Sequence, residues 1–255
     1  MGQSAAAPGI QPDQPTGNQL GSTGGVWSNA AHNSLSVALL LAASGGFLDA
    51  FTYFGHGHVF ANAMTGNVVL LGINAAAGET RQALSHLWPI LAFLLGVAVA
   101  RGLRLPRFSR FVRDPSLPAL SLEILFLCAA GWLPRSFPSQ PLVLAISFLA
   151  ALQSSTFPRV EKWAYNSTMT TGNLRQFGEA AFSAVFSRPD AESARKAILL
   201  AAVCLAFTVG AVVGAGVTSA LHNRALVVCA LLLSCAWLPL VLSDRRQRAL
   251  AGGGS

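Results

Sequence analysis

The chain has 255 residues and a net charge of +7; 53% of its residues are apolar and only 11% are charged. A soluble domain carries about 25% charged residues, so this composition excludes a soluble globular protein and predicts an all-α protein embedded in a lipid bilayer. The positive charge does not indicate nucleic-acid binding, because the basic residues lie between apolar runs and form no basic face with interspersed aromatic side chains.

The two ends of the chain differ from the rest. Residues 1–34 are rich in Gly, Pro, Gln, Asn and Ser and contain no Lys or Arg. We expect a disordered tail there, because such a segment buries too little apolar surface to fold. It lacks the basic start of a secretory signal. Residues 243–255 form a basic and then glycine-rich C-terminal tail.

Six strongly apolar segments lie between these tails and predict transmembrane helices, since about 20 apolar residues cross the hydrocarbon core. They are approximately residues 34–54, 84–100, 117–133, 142–157, 197–220 and 225–242. They divide the membrane part of the chain into a first half, residues 35–133, and a second half, residues 134–242.

The motif Thr-Gly-Asn occurs once in each half, at residues 65–67 and 171–173. A methionine lies just before each copy, at Met64 and Met169, and other flanking residues match at an offset of about 105 residues. We infer two copies of one unit, an arrangement typical of transporter folds built from repeats.

The topology depends on whether the segments that carry this motif, residues 59–77 and 165–186, cross the membrane. If neither crosses, fourteen of the 17 Lys and Arg residues lie on one side and three on the other. If both cross, eight lie on each side, and Arg175 lies within the membrane. Because basic residues concentrate on the cytoplasmic side, six spans with both termini in the cytoplasm are favoured.

An odd number of spans per half would make the second half inverted relative to the first. We expect each motif to lie in a broken or re-entrant segment that reaches the midplane, where protein or water covers its backbone. Gly66 and Gly172 would permit backbone conformations closed to other residues, and Asn67 and Asn173 would cap two half-helices. Two facing helix N-termini would suit an anion or a polar oxygen; the alternative is a motif that only packs helices together.

Asp49 is the only acidic residue deep in the first apolar segment. A carboxylate in the membrane costs about 2.5–3.5 kcal/mol, so it should face the bundle interior, on the helix face that Thr52 and Tyr53 share. It would bind a coupling proton, a cation or the solute; the alternative is a carboxylate satisfied by hydrogen bonds between helices. The matching place in the second half, near Gln153, has no acid. We expect Glu123 to reach the membrane interface or to pair with loop arginines.

Arg175 and Glu179 are spaced to pair along a helix, and the alternative is that Arg175 binds an anion. The candidate solute-binding or coupling residues are Asp49, Thr52, Tyr53, Asn62, Thr65, Gly66, Asn67, Gln153, Thr171, Gly172, Asn173 and Arg175. The spacing of Cys and His indicates no metal site, and no nucleotide-binding fingerprint occurs, so we expect no cofactor.

Three stretches carry a family resemblance: GFLDA at residues 46–50, NAMTGNVVLLG at residues 62–72, and residues 152–157 followed by the second motif. With them, the chain resembles the YoaK family of uncharacterised bacterial multi-pass membrane proteins over about residues 35–242. That family usually has Gln-Asn-Ala where this chain has Gln153, Ser154 and Ser155. The resemblance implies a six-span protein of the bacterial inner membrane and no established activity.

Repeated membrane units, a polar midplane and the lack of an ATP site favour a secondary transporter or permease-like protein for a small solute, with an anion as one candidate. The alternatives are a membrane-embedded lipid-modifying enzyme and a structural membrane protein. We expect no enzymatic activity. The expected partners are the lipid bilayer and a small solute, without nucleic acid; homo-oligomerisation stays open.

Overall fold

A computed structural model describes residues 32–109, 114–187 and 190–252, and most of these residues are helical. In chain order the helices are α1 (Leu35–Gly55), α2 (Met64–Ala76), α3 (Thr80–Leu103), α4 (Pro106–Ser109), α5 (Ser116–Ala130), α6 (Ser139–Thr156), α7 (Thr170–Phe182), α8 (Ala191–Leu221) and α9 (Ala225–Gly252). A π-helical turn, Ser183–Ser187, follows α7, and a 3₁₀ turn, His222–Arg224, joins α8 to α9. Residues 1–31 and 253–255 of the predicted tails lie outside the described residues.

A short hairpin interrupts the otherwise helical fold, and the sequence did not predict it. Strands β1 (Arg159–Val160) and β2 (Trp163–Ala164) pair antiparallel just after α6. The backbone N–H of Glu161, at the turn, donates to the carbonyl of Asn33 at 2.6 Å. Arg195 Nε donates to the Glu161 carboxylate at 2.9 Å and holds the pKa of Glu161 below its usual range. The hairpin therefore ties the start of α1 to the start of α8.

Each of the six predicted apolar segments contains a helix: α1, α3, α5, α6, α8 and α9. Among the described residues, three helical stretches are long and apolar enough to span a membrane: Leu35–Gly55, Thr80–Leu103 and Ala191–Arg246. The third comprises both α8 and α9. The helix α5 is apolar but has only 15 residues. The chain is thus a helical membrane protein.

The helices α1 and α8 run parallel and pack closely along most of their length. Ala43 lies against Gly210 and Phe47 lies against Gly214, so the contacts advance along both helices in the same direction. Both glycines are buried, and their lack of a side chain lets the two backbones approach.

The helices α3 and α6 form a second parallel pair. Gly96 lies against the backbone of Phe148, where a Cβ atom would be 2.5 Å from the carbonyl oxygen. Further along, Arg104 follows α3 and donates from Nη2 to the carbonyl of Ser155 near the end of α6. The pair α3–α6 thus combines the two halves of the chain, as the pair α1–α8 does.

Contacts at the helix ends fix the remaining directions. His32, before α1, lies 3.3 Å from Asp114, before α5, so these helices start at the same end of the bundle. His56, after α1, lies 3.1 Å from Ser139 at the start of α6, so α6 runs the opposite way.

The helices α5 and α9 are antiparallel. Trp237 Nε1, well along α9, donates at 2.7 Å to Ser121 Oγ near the start of α5. Asn223, just before α9, donates at 3.2 Å to the carbonyl of Leu133 beyond the end of α5. Consequently α1, α5 and α8 run in one direction, and α3, α6 and α9 run in the other.

A large buried apolar cluster lies where α1, α5, α6 and α9 meet. Its largest fully buried side chains are Phe47, Phe51, Leu41, Leu48, Leu120, Leu127, Leu142, Ile146, Leu226, Leu233 and Leu240. Exposed apolar side chains such as Leu94, Leu95 and Val212 cover outward faces, as expected of helices that contact lipid.

Gly210→Ala should destabilise the protein, because the added Cβ would overlap with the carbonyl oxygen of Ala43 in the opposing backbone. Overpacking of this kind costs about 1–3 kcal/mol. The control is Gly216→Ala on the same helix, where a Cβ has no neighbour within 4 Å. Thermal unfolding in detergent should show a lower midpoint for Gly210→Ala alone; equal midpoints would contradict the close packing of α1 and α8.

Candidate functional site

The loop between α1 and α2 folds back onto α1, where Asp49 and Thr52 hold its backbone. Asp49 Oδ1 accepts hydrogen bonds from the backbone N–H groups of Asn62 at 2.7 Å and Ala63 at 3.3 Å. Thr52 Oγ1 accepts one from Ala61 N–H at 3.1 Å. The N-cap of α2 is Ala63, whose side chain cannot accept a hydrogen bond. Asp49 therefore satisfies, from a neighbouring helix, the backbone donors of the two residues just before α2.

Both motif segments come together at the middle of α1, beside Gly45. Asn62 Nδ2 donates to the carbonyl of Gly45 at 3.0 Å. From the second half, the carbonyl oxygen of Ser167 comes so close that a Cβ on Gly45 would be 2.7 Å away. The chain thus brings irregular backbone from both halves to one place inside the bundle, and Asn62 Oδ1 is buried there without a partner among the described residues.

The two motif asparagines make the same contacts. Asn67 Oδ1 accepts from Phe60 N–H at 3.0 Å, and its Nδ2 donates to the Phe60 carbonyl at 2.7 Å. Asn173 makes the corresponding bonds to Asn166 at 3.0 and 2.7 Å. Each asparagine closes the irregular loop that precedes its helix, and each is buried.

These contacts correct the prediction that the two asparagines are N-caps. The helix α2 begins at Met64 and α7 begins at Thr170, so each asparagine lies at the fourth helical position. Each helix has 13 residues and is about 20 Å long, which is too short to cross about 30 Å of hydrocarbon.

The motif glycines also differ from expectation, since both are helical and neither has a positive φ. A Cβ on Gly66 would lie 2.8 Å from the ring of Phe60. A Cβ on Gly172 would meet no atom of the described residues within 4 Å. Gly66 therefore allows the Phe60 ring to pack closely against α2, whereas Gly172 makes no such contact with the described residues.

Gly172 lines a cavity of about 350 Å³ between the N-terminal turns of α2 and α7. We call it the Asp49 cavity. It is lined by Asp49, Ala50, Tyr53, Phe60, Ala63, Met64, Thr65, Thr168, Met169, Thr170, Thr171, Gly172, Phe207 and Ala211.

Asp49 is the one charged residue in this described lining. Its side chain is only 5% exposed. Apolar groups face it: the methionine that precedes each motif, Phe207, and the ring of Tyr53, which stacks on Phe60 with centroids 4.6 Å apart. The site combines one carboxylate with two helix N-termini and a largely apolar wall.

The structure brings part of the predicted site together. Five predicted residues line the cavity: Asp49, Tyr53, Thr65, Thr171 and Gly172. Five others support its walls through the contacts already described: Thr52, Asn62, Gly66, Asn67 and Asn173. The pattern of a methionine before each motif points to Met64 and Met169, whereas no local signal identifies Phe60, Thr168, Thr170 or Phe207.

Gln153 lies outside the cavity lining and contacts a second buried carboxylate. Its Nε2 donates to Glu123 Oε2 at 3.0 Å, and its Oε1 accepts from Ser167 Oγ at 3.4 Å. Glu123 is 1% exposed. The expectation that Glu123 reaches the interface or pairs with loop arginines is therefore wrong, because Gln153 on α6 supplies its partner within the bundle.

Arg175 is also outside the cavity lining. Its side chain is 73% exposed, and its Nη1 donates to Glu179 Oε1 at 2.8 Å along α7. The structure thus gives Arg175 the helical pairing that its spacing indicates.

Comparison with known proteins gives two matches. The family model described as "Protein of unknown function (DUF1275)" matches residues 37–238. The UPF0700 transmembrane protein YoaK of Bacillus subtilis (strain 168) is 28% identical over 188 residues, which cover 72% of this chain and 83% of that protein. No solved structure gives a significant match. The resemblance to the YoaK family that the motifs indicate is confirmed.

Asn67→Ala and Asn173→Ala should each destabilise the protein by about 1–3 kcal/mol, because each removes the hydrogen-bond partner of a part-buried backbone N–H and carbonyl. The control is Asn74→Ala, since Asn74 also lies on α2 but its side chain holds no such loop. Thermal unfolding in detergent measures the effect. Midpoints that equal that of Asn74→Ala would show that the two loops do not depend on these hydrogen bonds.

Proposed function

We propose that this chain, which belongs to the DUF1275 family of proteins of unknown function, is a secondary transporter for a small solute. The observation that carries this proposal is the Asp49 cavity, where a single carboxylate faces the N-terminal turns of two short helices. Its volume of about 350 Å³ is at the small end of ligand sites, which suits a small solute.

The proposed architecture has six spans in two inverted repeats, each with a re-entrant segment. In sequence order α1, α2, α3 and α5 of the first half correspond to α6, α7, α8 and α9 of the second. The helix directions support this, because α1 and α6, α3 and α8, and α5 and α9 each run in opposite directions. The packing supports it too: α1 packs on α8 as α6 packs on α3, and α2 packs on α3 as α7 packs on α8.

The short helices α2 and α7 suit re-entrant segments of alternating-access transporters, whose solute sites lie at the repeat interface. Each starts deep in the bundle, near Asp49, and each is followed by a long helix that packs against it. Irregular backbone at this depth needs protein or water around it, which the hydrogen bonds of Asp49, Asn67 and Asn173 provide.

We place both termini in the cytoplasm and the protein in the bacterial inner membrane. The end of the bundle that holds His32 also holds the basic residues Arg104, Lys162 and Arg195. The opposite end holds Arg135 and Arg224. This asymmetry agrees with the positive-inside rule, by which Lys and Arg residues concentrate on the cytoplasmic side.

A structural role for the site is the second candidate, and the hydrogen bonds to Asp49 Oδ1 favour it. A carboxylate that only holds the start of α2 would need no solute. The lipid-modifying alternative has less support, because the described lining contains no histidine, cysteine or lysine beside Asp49.

Topology can be tested by labelling intact cells. A cysteine introduced at Arg245 should stay unreactive towards an impermeant maleimide, because the proposed orientation places α9's C-terminal end inside the cell. A cysteine introduced at Arg135 should react. Labelling at position 245 from outside would contradict the proposed orientation.

Transport can be tested in proteoliposomes with a ¹³C-labelled extract of small metabolites. Mass spectrometry of the lumen should show at least one compound that accumulates with the wild type over protein-free vesicles. Asp49→Asn should reduce that accumulation at least tenfold. The Asn amide can neither bind a coupling proton nor attract a positively charged group of the solute.

Two outcomes would count against this account. If no compound accumulates, the transport proposal fails. If Asp49→Asn transports as well as the wild type, Asp49 is a structural residue only. Asn74→Ala serves as a matched control for purification and reconstitution.

A further inference from the structure

We propose that the Asp49 cavity binds a small zwitterion, with its ammonium group on Asp49 and its carboxylate on the N-terminus of α7. This inference rests on the proposed function and adds the chemical class of the solute. The argument depends on how positive and negative groups divide between the two walls of the cavity.

The wall formed by α1 and α2 carries Asp49, the one charged residue of the described lining, beside the N-terminus of α2. The hydrogen bonds from Asn62 and Ala63 end on Oδ1 of Asp49, and the backbone N–H of Ala61 also interacts with this carboxylate. The side chain is 95% buried, yet it lines the cavity, and no basic residue is present in the described lining. A buried carboxylate without a counter-ion is costly, so this wall favours a cationic group.

Aromatic rings extend this wall. Tyr53 lies one helical turn after Asp49, and its ring stacks on that of Phe60. The two rings lie in the same lining as the carboxylate and add apolar surface beside it.

The opposite wall is the N-terminus of α7. The N-cap of this helix, Met169, gives no side-chain cap, and the N–H groups of Thr170, Thr171 and Gly172 have no acceptor among the described residues. A helix N-terminus carries roughly half a positive charge and binds carboxylates through such N–H groups. The hydroxyl groups of Thr170 and Thr171 add further donors in the same lining.

Comparing the two walls decides between solute classes. A simple anion would fit the α7 terminus but would lie beside the Asp49 carboxylate. A simple cation would fit Asp49 but would lie beside the positive end of α7. A zwitterion satisfies both walls at once, and Met64, Met169 and Phe207 provide an apolar surface for a compact remainder.

The first test measures binding to the purified full-length protein by titration calorimetry with matched probes. One set is leucine, isopentylamine and 4-methylpentanoate; a second is alanine, ethylamine and propanoate. We expect at least one amino acid to bind at least tenfold more tightly than its amine and its acid. The proposal is overturned if an amine or an acid binds as tightly as the amino acid, or if neither amino acid binds.

The second test uses a pair of variants on α7. Gly172→Ala puts a methyl group into the open space beside the proposed carboxylate position, whereas Gly178→Ala puts one on the same helix outside the lining. Neither Cβ meets an atom within 4 Å, so both variants should fold. Gly172→Ala should weaken amino-acid binding at least tenfold, and Gly178→Ala should leave it unchanged. Equal affinities would place the ligand elsewhere.

The two proposals can fail separately. If the proteoliposomes accumulate an amine or an organic acid but no amino acid, the transport proposal stands and the zwitterion is wrong. If an amino acid binds but nothing accumulates in the vesicles, the site is a zwitterion site in a protein that does not transport.

Discussion

The hydrogen bonds between Asp49 and the backbone before α2 are the contact on which the interior of this protein depends. A bilayer offers no water for unpaired N–H groups, so a chain that breaks helical structure within it needs another acceptor. Asp49 provides that acceptor from α1, and Thr52 and Asn62 fix the adjoining backbone. Without these bonds, the backbone N–H groups of Asn62 and Ala63 would lack an acceptor, and the loop before α2 would lose its attachment to α1.

In the second half of the chain, different residues form the hydrogen bonds to the loop that precedes the short helix α7. Asn173 closes its loop as Asn67 does, but here Ser167 of the loop donates to the amide oxygen of Gln153 on α6 rather than to a carboxylate. The second buried carboxylate, Glu123, is outside the lining of the Asp49 cavity and accepts a hydrogen bond from Gln153. The N-terminus of α2 therefore lies beside a carboxylate, whereas neither α7 nor the loop before it contributes an acidic residue to the described lining of the cavity.

The sequence predicts the membrane class and a helix in each of the six apolar segments well, because apolar runs of this length indicate helices that contact lipid. It also singles out Asp49 and the repeated motif, since a lone acid and a duplicated Gly–Asn pair stand out in apolar surroundings. The sequence predicts the starts of α2 and α7 four residues too late, because the rule that Asn caps helices is local, whereas the acceptor for the backbone before α2 comes from α1. The partner of Glu123 is predicted wrongly and Phe207 is not identified, because the contacts of both depend on which helices pack together.

The central claim is that the N-terminal turns of α2 and α7 face each other across one cavity. Cross-linking tests it most directly, with Thr65 and Thr171 changed to cysteine in a chain whose native Cys128, Cys204, Cys229 and Cys235 are replaced. A short bifunctional maleimide should join the two positions, detected by mass spectrometry of the linked peptides. The control pair, Thr65 with Glu179, should not be joined, because Glu179 lies about 12 Å further along α7. Failure to link Thr65 with Thr171, or equal linking of both pairs, would contradict the account.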